Sequence, residues 1–186
     1  SAKSVGITSY FYDSKKKELF LSRDRFGIKP LYYYRDEGNF IFASEIPAIH
    51  KTLGKNHSLN DTVLKDLAKG SFLFHGTVQT YLKDVFSLPG GFNLTVNSKG
   101  QTNVEKWYEL SKVPVPTLFG QQAKKLKGLI ADACLVRLRS DVPIGTCLSG
   151  GLDSSTISAV IDSFKSPGSA RFNKYTHRCF CAALPG

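Results

Sequence analysis

Leu148-Ser149-Gly150-Gly151-Leu152-Asp153-Ser154-Ser155 is the stretch on which the reading of this chain turns. An apolar run, Ile144 to Leu148, leads into it, and Ile157, Val160, Ile161 and Phe164 follow at the i, i+3, i+4, i+7 spacing of a helix face. Two glycines let backbone N–H groups turn toward a ligand and come close to it. Ser149, Ser154 and Ser155 add hydroxyl donors. A loop that opens a helix also presents unpaired N–H groups and the positive end of the dipole, which favour an anion. Asp153 has the wrong sign for such a ligand, unless Mg²⁺ bridges its carboxylate to phosphate oxygens. No Lys follows the glycines, so this is not the GxxxxGKS/T loop. The plainer alternative is a Ser/Gly turn in which Asp153 or Ser154 caps the helix. The full string, set between an apolar strand and an amphipathic helix, favours the phosphate reading.

Working outward, the pattern predicts a helix over Phe119 to Leu138, with Ala123, Leu126, Leu129, Ile130, Ala133 and Val136 on one side. A last strand is expected over about Thr176 to Leu184, after a polar loop containing Ser166-Pro167-Gly168-Ser169. Strand, loop, helix and strand make one βαβ unit, which implies a parallel sheet of nucleotide-binding type. Upstream, Lys112-Val113-Pro114-Val115-Pro116 is stiff and extended, because each Pro fixes its own φ and restricts its predecessor. It reads as a linker over 111–118, between a first domain, 1–110, and a second, 119–186.

The first domain reads as antiparallel β-structure with short helices inserted. Val5 to Tyr12 and Glu18 to Ser22 form a hairpin about Asp13-Ser14-Lys15-Lys16, and Leu31 to Tyr34 and Phe40 to Ala43 form another about Asp36-Glu37-Gly38-Asn39. Ser44 is expected to cap a short helix through His50, and Asn60 a second helix with Val63, Leu64 and Leu67 on one stripe. The chain is expected to return to β-structure only after Pro89-Gly90-Gly91, as Phe92 to Val96 and Thr102 to Tyr108.

Composition bounds the function. The 186 residues are 41% hydrophobic and 22% charged, which excludes wholesale disorder and fibrous repeats. No apolar stretch approaches the ~18 residues of a membrane span. Net charge is +10, with +4 in residues 1–110 and +6 in 111–186. Lys15-Lys16-Lys17 and Lys124-Lys125-Leu126-Lys127 carry no interleaved stacking aromatics, so solvated faces are expected and nucleic acid is not. Cys134, Cys147, Cys179 and Cys181 are too few for a disulfide scaffold and lack the spacing of a metal site, so buried thiols in a reducing compartment are expected. His50, His57, His75 and His177 are scattered and are given no catalytic or metal role. Met is absent even at position 1, so the chain is expected to be an internal piece of a longer one.

Ser149 to Ser155 resembles the pyrophosphate loop of the ATP pyrophosphatases. Arg137-Leu138-Arg139-Ser140-Asp141-Val142-Pro143-Ile144-Gly145, running into it, resembles the approach segment of glutamine-hydrolysing asparagine synthetases. Arg23-Asp24-Arg25-Phe26-Gly27-Ile28-Lys29-Pro30-Leu31-Tyr32-Tyr33 is similar to a signature of that family's glutaminase domain, and Phe42-Ala43-Ser44-Glu45-Ile46 to the segment after it. Leu88-Pro89-Gly90-Gly91 and Trp107-Tyr108 fall in the same order.

The resemblance implies part of an α+β N-terminal nucleophile-type antiparallel sheet followed by the start of an α/β Rossmann-like ATP-pyrophosphatase domain. It implies a cytoplasmic enzyme acting on ATP, aspartate and glutamine with Mg²⁺, forming β-aspartyl-AMP that ammonia from glutamine then attacks. Homodimerisation is left open. It assigns Ser149, Gly150, Gly151, Ser154 and Ser155 to the pyrophosphate, Asp153 to Mg²⁺, and Leu148 and Ala182 to the nucleotide. The family's nucleophile is an N-terminal Cys, whereas Ser1 lies about twenty residues before the Arg23 motif and is rejected as a nucleophile. The chain alone is therefore expected to be inactive. Pro47 stands where the family often has Lys, and Ile7-Thr8-Ser9-Tyr10 is more polar than usual. The Arg23–Tyr33 motif is read as scaffolding, with Arg23, Asp24 and Arg25 pairing locally. Two alternatives remain: a β-lactam synthetase-like enzyme acting on another carboxylate, and an RNA-binding, tRNA-modifying ATP pyrophosphatase.

Overall fold

The computed structural model describes residues 8–54, 58–70, 77–140, 142–164 and 177–182. They fall into two compact units, one ending at Ser111 and one beginning at Lys112. His57, His75, Asp141, the Ser166–Ser169 loop and the outer ends of the expected first and last strands lie outside the described residues.

In the first unit β1 (Ser9–Asp13) and β2 (Glu18–Ser22) form a hairpin. Asp13 closes its turn by accepting the N–H groups of Lys15 at 2.9 Å and Lys16 at 3.0 Å. β3 (Tyr32–Arg35) and β4 (Phe40–Ala43) form a second hairpin, closed by Asp36, which accepts from Gly38 N at 2.8 Å and Asn39 N at 2.7 Å. Next come α1 (Ile46–Leu53), α2 (Asp61–Ala68), β5 (Val85–Ser87), β6 (Phe92–Val96) and β7 (Thr102–Lys106). Two antiparallel sheets result, ordered β1-β2-β6-β7 and β4-β3-β5.

Register places the core. Leu19 opposes Val96 and Leu21 opposes Leu94, so alternate residues of β2 and β6 share one face. That face joins Leu31 and Leu88 in one buried cluster, while Ile46, Ile49, Leu82 and Val85 make another around α1. Each such side chain contributes roughly 1.5–3 kcal/mol by leaving water.

Three sequence expectations need correction here. The cap of α1 is Glu45, not Ser44, and it makes no side-chain bond; Pro47 in the first turn supplies the helical φ instead. Asn60 does cap α2, accepting Val63 N at 3.4 Å. β5 had no counterpart in the sequence reading, because three residues give no readable alternation and β3 supplies its pairing. β7 stops at Lys106 because the N–H groups of Trp107 and Tyr108 both turn to Gly91 O, at 2.9 and 3.1 Å.

The second unit opens with an extended segment to which α3 (Phe119–Arg137) is tied: Gln122 Nε2 donates to Pro116 O at 2.7 Å and Lys125 Nζ to Pro114 O at 3.2 Å. β8 (Gly145–Cys147), α4 (Leu152–Ser163) and β9 (Arg178–Phe180) complete it, with β8 and β9 parallel. The βαβ expectation therefore matches the described strands. The stripe expected on α3 matches only in part: Ile130 and Val136 are half-buried, Ala123, Leu126, Leu129 and Ala133 are exposed, and the one buried residue of the helix is Cys134. The thiols also differ from expectation. Cys134 is buried, but Cys147, Cys179 and Cys181 are exposed, on or beside a strand pair over which the described residues pack little.

Candidate functional site: the loop between β8 and α4

Ser149 to Ser155 occupies the junction from β8 into α4. Leu148 is half-buried and still belongs to the strand pair, donating its N–H to Phe180 O at 2.8 Å. Gly150 then adopts φ +82°, in the left-handed region, and a methyl group placed on it would meet nothing within 4 Å. The space beside it is open. Gly151 is the N-cap of α4, and Ser155 N makes the first helical bond to Gly151 O at 3.1 Å.

The donors divide into two sets. Ser149 N and Gly151 N are engaged inside the loop, with Ser154 Oγ at 3.3 Å and Ser149 Oγ at 3.5 Å. Gly150, Leu152, Asp153 and Ser154 have backbone N–H groups with no partner among the described residues. Those four are the free donors of the site. The hydroxyls of Ser149 and Ser154 lie 3.0 Å apart, and Ser154 Oγ also donates to Gly151 O at 3.1 Å. The sequence reading expects these hydroxyls to serve the ligand; among the described residues they bond one another and the loop backbone. Neither Asp153 nor Ser154 caps the helix, since α4 has no side-chain cap bond.

Asp153 lies exposed in the first turn of α4 and makes no ion pair among the described residues. No group of three His, Cys, Asp or Glu side chains gathers there or elsewhere among the described residues. A cation at Asp153 would thus need most of its ligands from phosphate and water, which is the way Mg²⁺ is commonly held. The free amides and the open face of Gly150 fit a phosphate chain. Ala182 lies exposed two residues beyond β9. Because β8 and β9 run parallel, it stands at the same carboxyl edge as Leu148, the edge where open α/β sheets bind ligands.

Sequence reasoning missed a polar cluster within this unit. Thr146 Oγ1 lies 2.9 Å from His177 Nε2, 3.4 Å from Ser158 Oγ and 3.6 Å from Cys179 Sγ. The parallel register sets Thr146 opposite Cys179, and no linear spacing in the sequence announces that pairing.

The Arg23 motif is a different kind of construction. Asp24 is buried and accepts N–H bonds from Lys29 at 2.9 Å, Ile28 at 3.0 Å and Phe26 at 3.2 Å. Burial raises its pKa, but those three donors and the nearby Arg23 charge together outweigh burial and hold the carboxyl below its ordinary value. Arg23 Nε donates to Lys29 O at 2.8 Å, Nη2 to Gly27 O at 2.9 Å, and Nη1 to Ser87 Oγ at 3.0 Å and to Leu88 O. Arg25 lies over the rings of Trp107 and Tyr108, 5.8 and 5.4 Å from their centroids. The expected local pairing is therefore corrected for Arg23 and Asp24, which hydrogen-bond mainly to backbone and feel each other only through charge, and this braces the corner more firmly than a surface ion pair would.

The described residues thus form one unit of two antiparallel sheets with a braced Arg23–Asp24 corner and a second unit whose parallel strand pair carries a glycine-bearing strand-to-helix loop. The chain belongs to the glutamine amidotransferase domain family, whose description matches residues 3–108. A second family, asparagine synthase, matches residues 125–183. Among curated relatives, an asparagine synthetase (glutamine-hydrolyzing) 2 of Methanocaldococcus jannaschii is 38% identical over 160 residues, covering 82% of this chain and 30% of its own. The asparagine synthetase (glutamine-hydrolyzing) 3 of Bacillus subtilis is 31% identical over 167 residues, covering 89% of this chain and 27% of its own. The chain thus spans less than a third of the length of either relative. A solved structure titled "Structure of the allosteric regulatory enzyme of purine biosynthesis" aligns at a TM-score of 0.30 and 13% identity over 77% of this chain and 27% of that one; so low a score carries no argument.

Proposed function

We propose that the protein carrying this chain is a cytoplasmic, glutamine-hydrolysing asparagine synthase that forms a C–N bond at the expense of ATP. In this reading residues 1–110 belong to its glutaminase domain, 111–118 are a linker, and 119–186 belong to its synthetase domain. The observation that carries the proposal is the set of free amides at Gly150, Leu152, Asp153 and Ser154, presented at a strand-to-helix junction.

Activating a carboxylate with ATP requires attack at the α-phosphorus and departure of pyrophosphate. The charge grows on the leaving β-phosphate, so fixed donors aimed at that group stabilise the transition state more than the ground state. Gly150 and Gly151 let the backbone approach it. Ser149, Ser154 and Ser155 belong to the same cradle, with the Ser149–Ser154 contact holding the loop in shape. Asp153 would hold Mg²⁺, which when bound offsets phosphate charge. Leu148 and the backbone at Ala182 would line the nucleotide site at the carboxyl edge of β8 and β9. Aspartate and glutamine are the remaining proposed substrates.

The test is Asp153→Ala in the full protein. ATP–pyrophosphate exchange should fall by about 100-fold or more, the scale of losing a key charge-stabilising group, while glutamine hydrolysis stays largely intact. Unchanged exchange would remove Asp153 from the metal role and leave the loop a structural turn.

A further inference from the structure

We propose that a second small-molecule site lies in the antiparallel unit, in the cavity lined by Arg23, Tyr32, Gln79, Tyr81 and Ser87, and that it takes a carboxylate carried on an apolar body. The cavity has a volume of about 500 Å³, inside the ~300–1,000 Å³ range of small-molecule pockets. It is a built space. Tyr32 on β3 and Ser87 on β5 are register partners, so these two lining residues belong to paired strands. Gly90, also in the lining, lies against the Gly27 corner so closely that a methyl group on it would come within 2.5 Å of Gly27 N.

Charge and unmet hydrogen-bonding capacity define the ligand. Among the described residues Arg23 is the only charged one lining the cavity. Its guanidinium carries five N–H donors, and the four bonds described above fix it rigidly, leaving one donor on Nη2. It forms no ion pair with a carboxylate among the described residues, and the neighbouring Asp24 spends its carboxylate on backbone N–H groups. The hydroxyls of Tyr32 and Tyr81 have no hydrogen-bond partner among the described residues, and Ser87 Oγ accepts from Arg23 without donating. One fixed positive charge and several free O–H donors call for a single anionic acceptor. Phe26, Ile46 and Pro89 supply the apolar part of the lining. This reading does not depend on the loop after β8.

The test compares benzoate with benzamide, which share a shape and differ in charge, by ¹H–¹⁵N NMR titration of the full chain. Charge-assisted hydrogen bonds are about twice as strong as neutral ones, so benzoate should bind about ten-fold more tightly than benzamide. Its shifts should centre on the amides of Gln79, Ser87 and Gly90. Arg23 also braces the corner, so its replacement would confound binding with folding. Tyr81→Phe removes one hydroxyl from a partly exposed side chain, and should weaken benzoate by about three-fold or more while the spectrum stays folded. Equal affinity for the two probes, no saturable shift at millimolar benzoate, or binding indifferent to Tyr81→Phe would each overturn the site.

Discussion

The antiparallel unit and the parallel unit solve the same packing problem to different extents. In the first, Leu21, Ile49, Leu88 and Leu94 are fully buried. In the second, only Cys134 and Ile161 among the described hydrophobics are buried, while Phe119 and Leu152 stand 82% and 84% exposed. Hairpins close their own ladders and pack one face on a neighbour, so short stretches of chain suffice to make a core. A parallel pair needs helices on both faces, and α4 with α3 covers little of β8 and β9. The candidate ligand loop nonetheless sits in the poorly packed unit. Its shape depends on Gly150, Ser149 and Ser154 locally rather than on a core.

The sharpest way to break this comparison is a pair of leucine truncations. Leu94→Ala should cost about 2–5 kcal/mol, as deletion of a buried core leucine does. Leu126→Ala, at an exposed position, should stay within about 0.5 kcal/mol. Trp107, the only tryptophan, lies in the first unit and reports its unfolding in denaturant by fluorescence; helix loss on α3 can be followed by circular dichroism. Equal costs at the two leucines would mean that α3 is covered in solution.

A smaller effect is expected from Asp24→Asn, which removes the charge behind three hydrogen bonds. The loss should be about 2 kcal/mol near neutral pH, read from the same fluorescence transition. Its pH dependence has a definite sign. The folded pKa lies below the ordinary 3.8, so the stabilisation is fully present above that value and is lost as pH falls through the lower folded one. The difference between wild type and Asp24→Asn should therefore shrink on acidification and stay flat from pH 5 upward. Least of the three is Gly150→Ala. The site has room for a methyl group, so only the left-handed backbone opposes it, at about 1 kcal/mol. Thermal unfolding should show that cost in the second unit alone; a loss as large as that of Leu94→Ala would mean that the loop is packed.

Much of the architecture was legible where causes are local. The bounds of β2, β4 and β6 follow from short runs rich in apolar and aromatic residues set between turns, and the Asn60 cap from one side chain reaching three residues ahead. Position of the Ser149–Ser155 loop follows from an apolar run before it and a helical period after it. Illegible features depended on partners remote in sequence. Ser87 meets Arg23 across 64 residues, Thr146 meets His177 across 31, and β5 exists only because β3 lies beside it.

Sequence by itself determined which segments could be strands and helices and where a glycine-bearing loop would open one, because steric limits and periodicity act over a few residues. Tertiary structure alone decided which donors of that loop are free, which leucines of α3 meet water, and that Arg23 and Asp24 bind backbone instead of each other. Hydrogen-bond partners and burial are properties of space, and a linear pattern fixes them only when the partner is close along the chain.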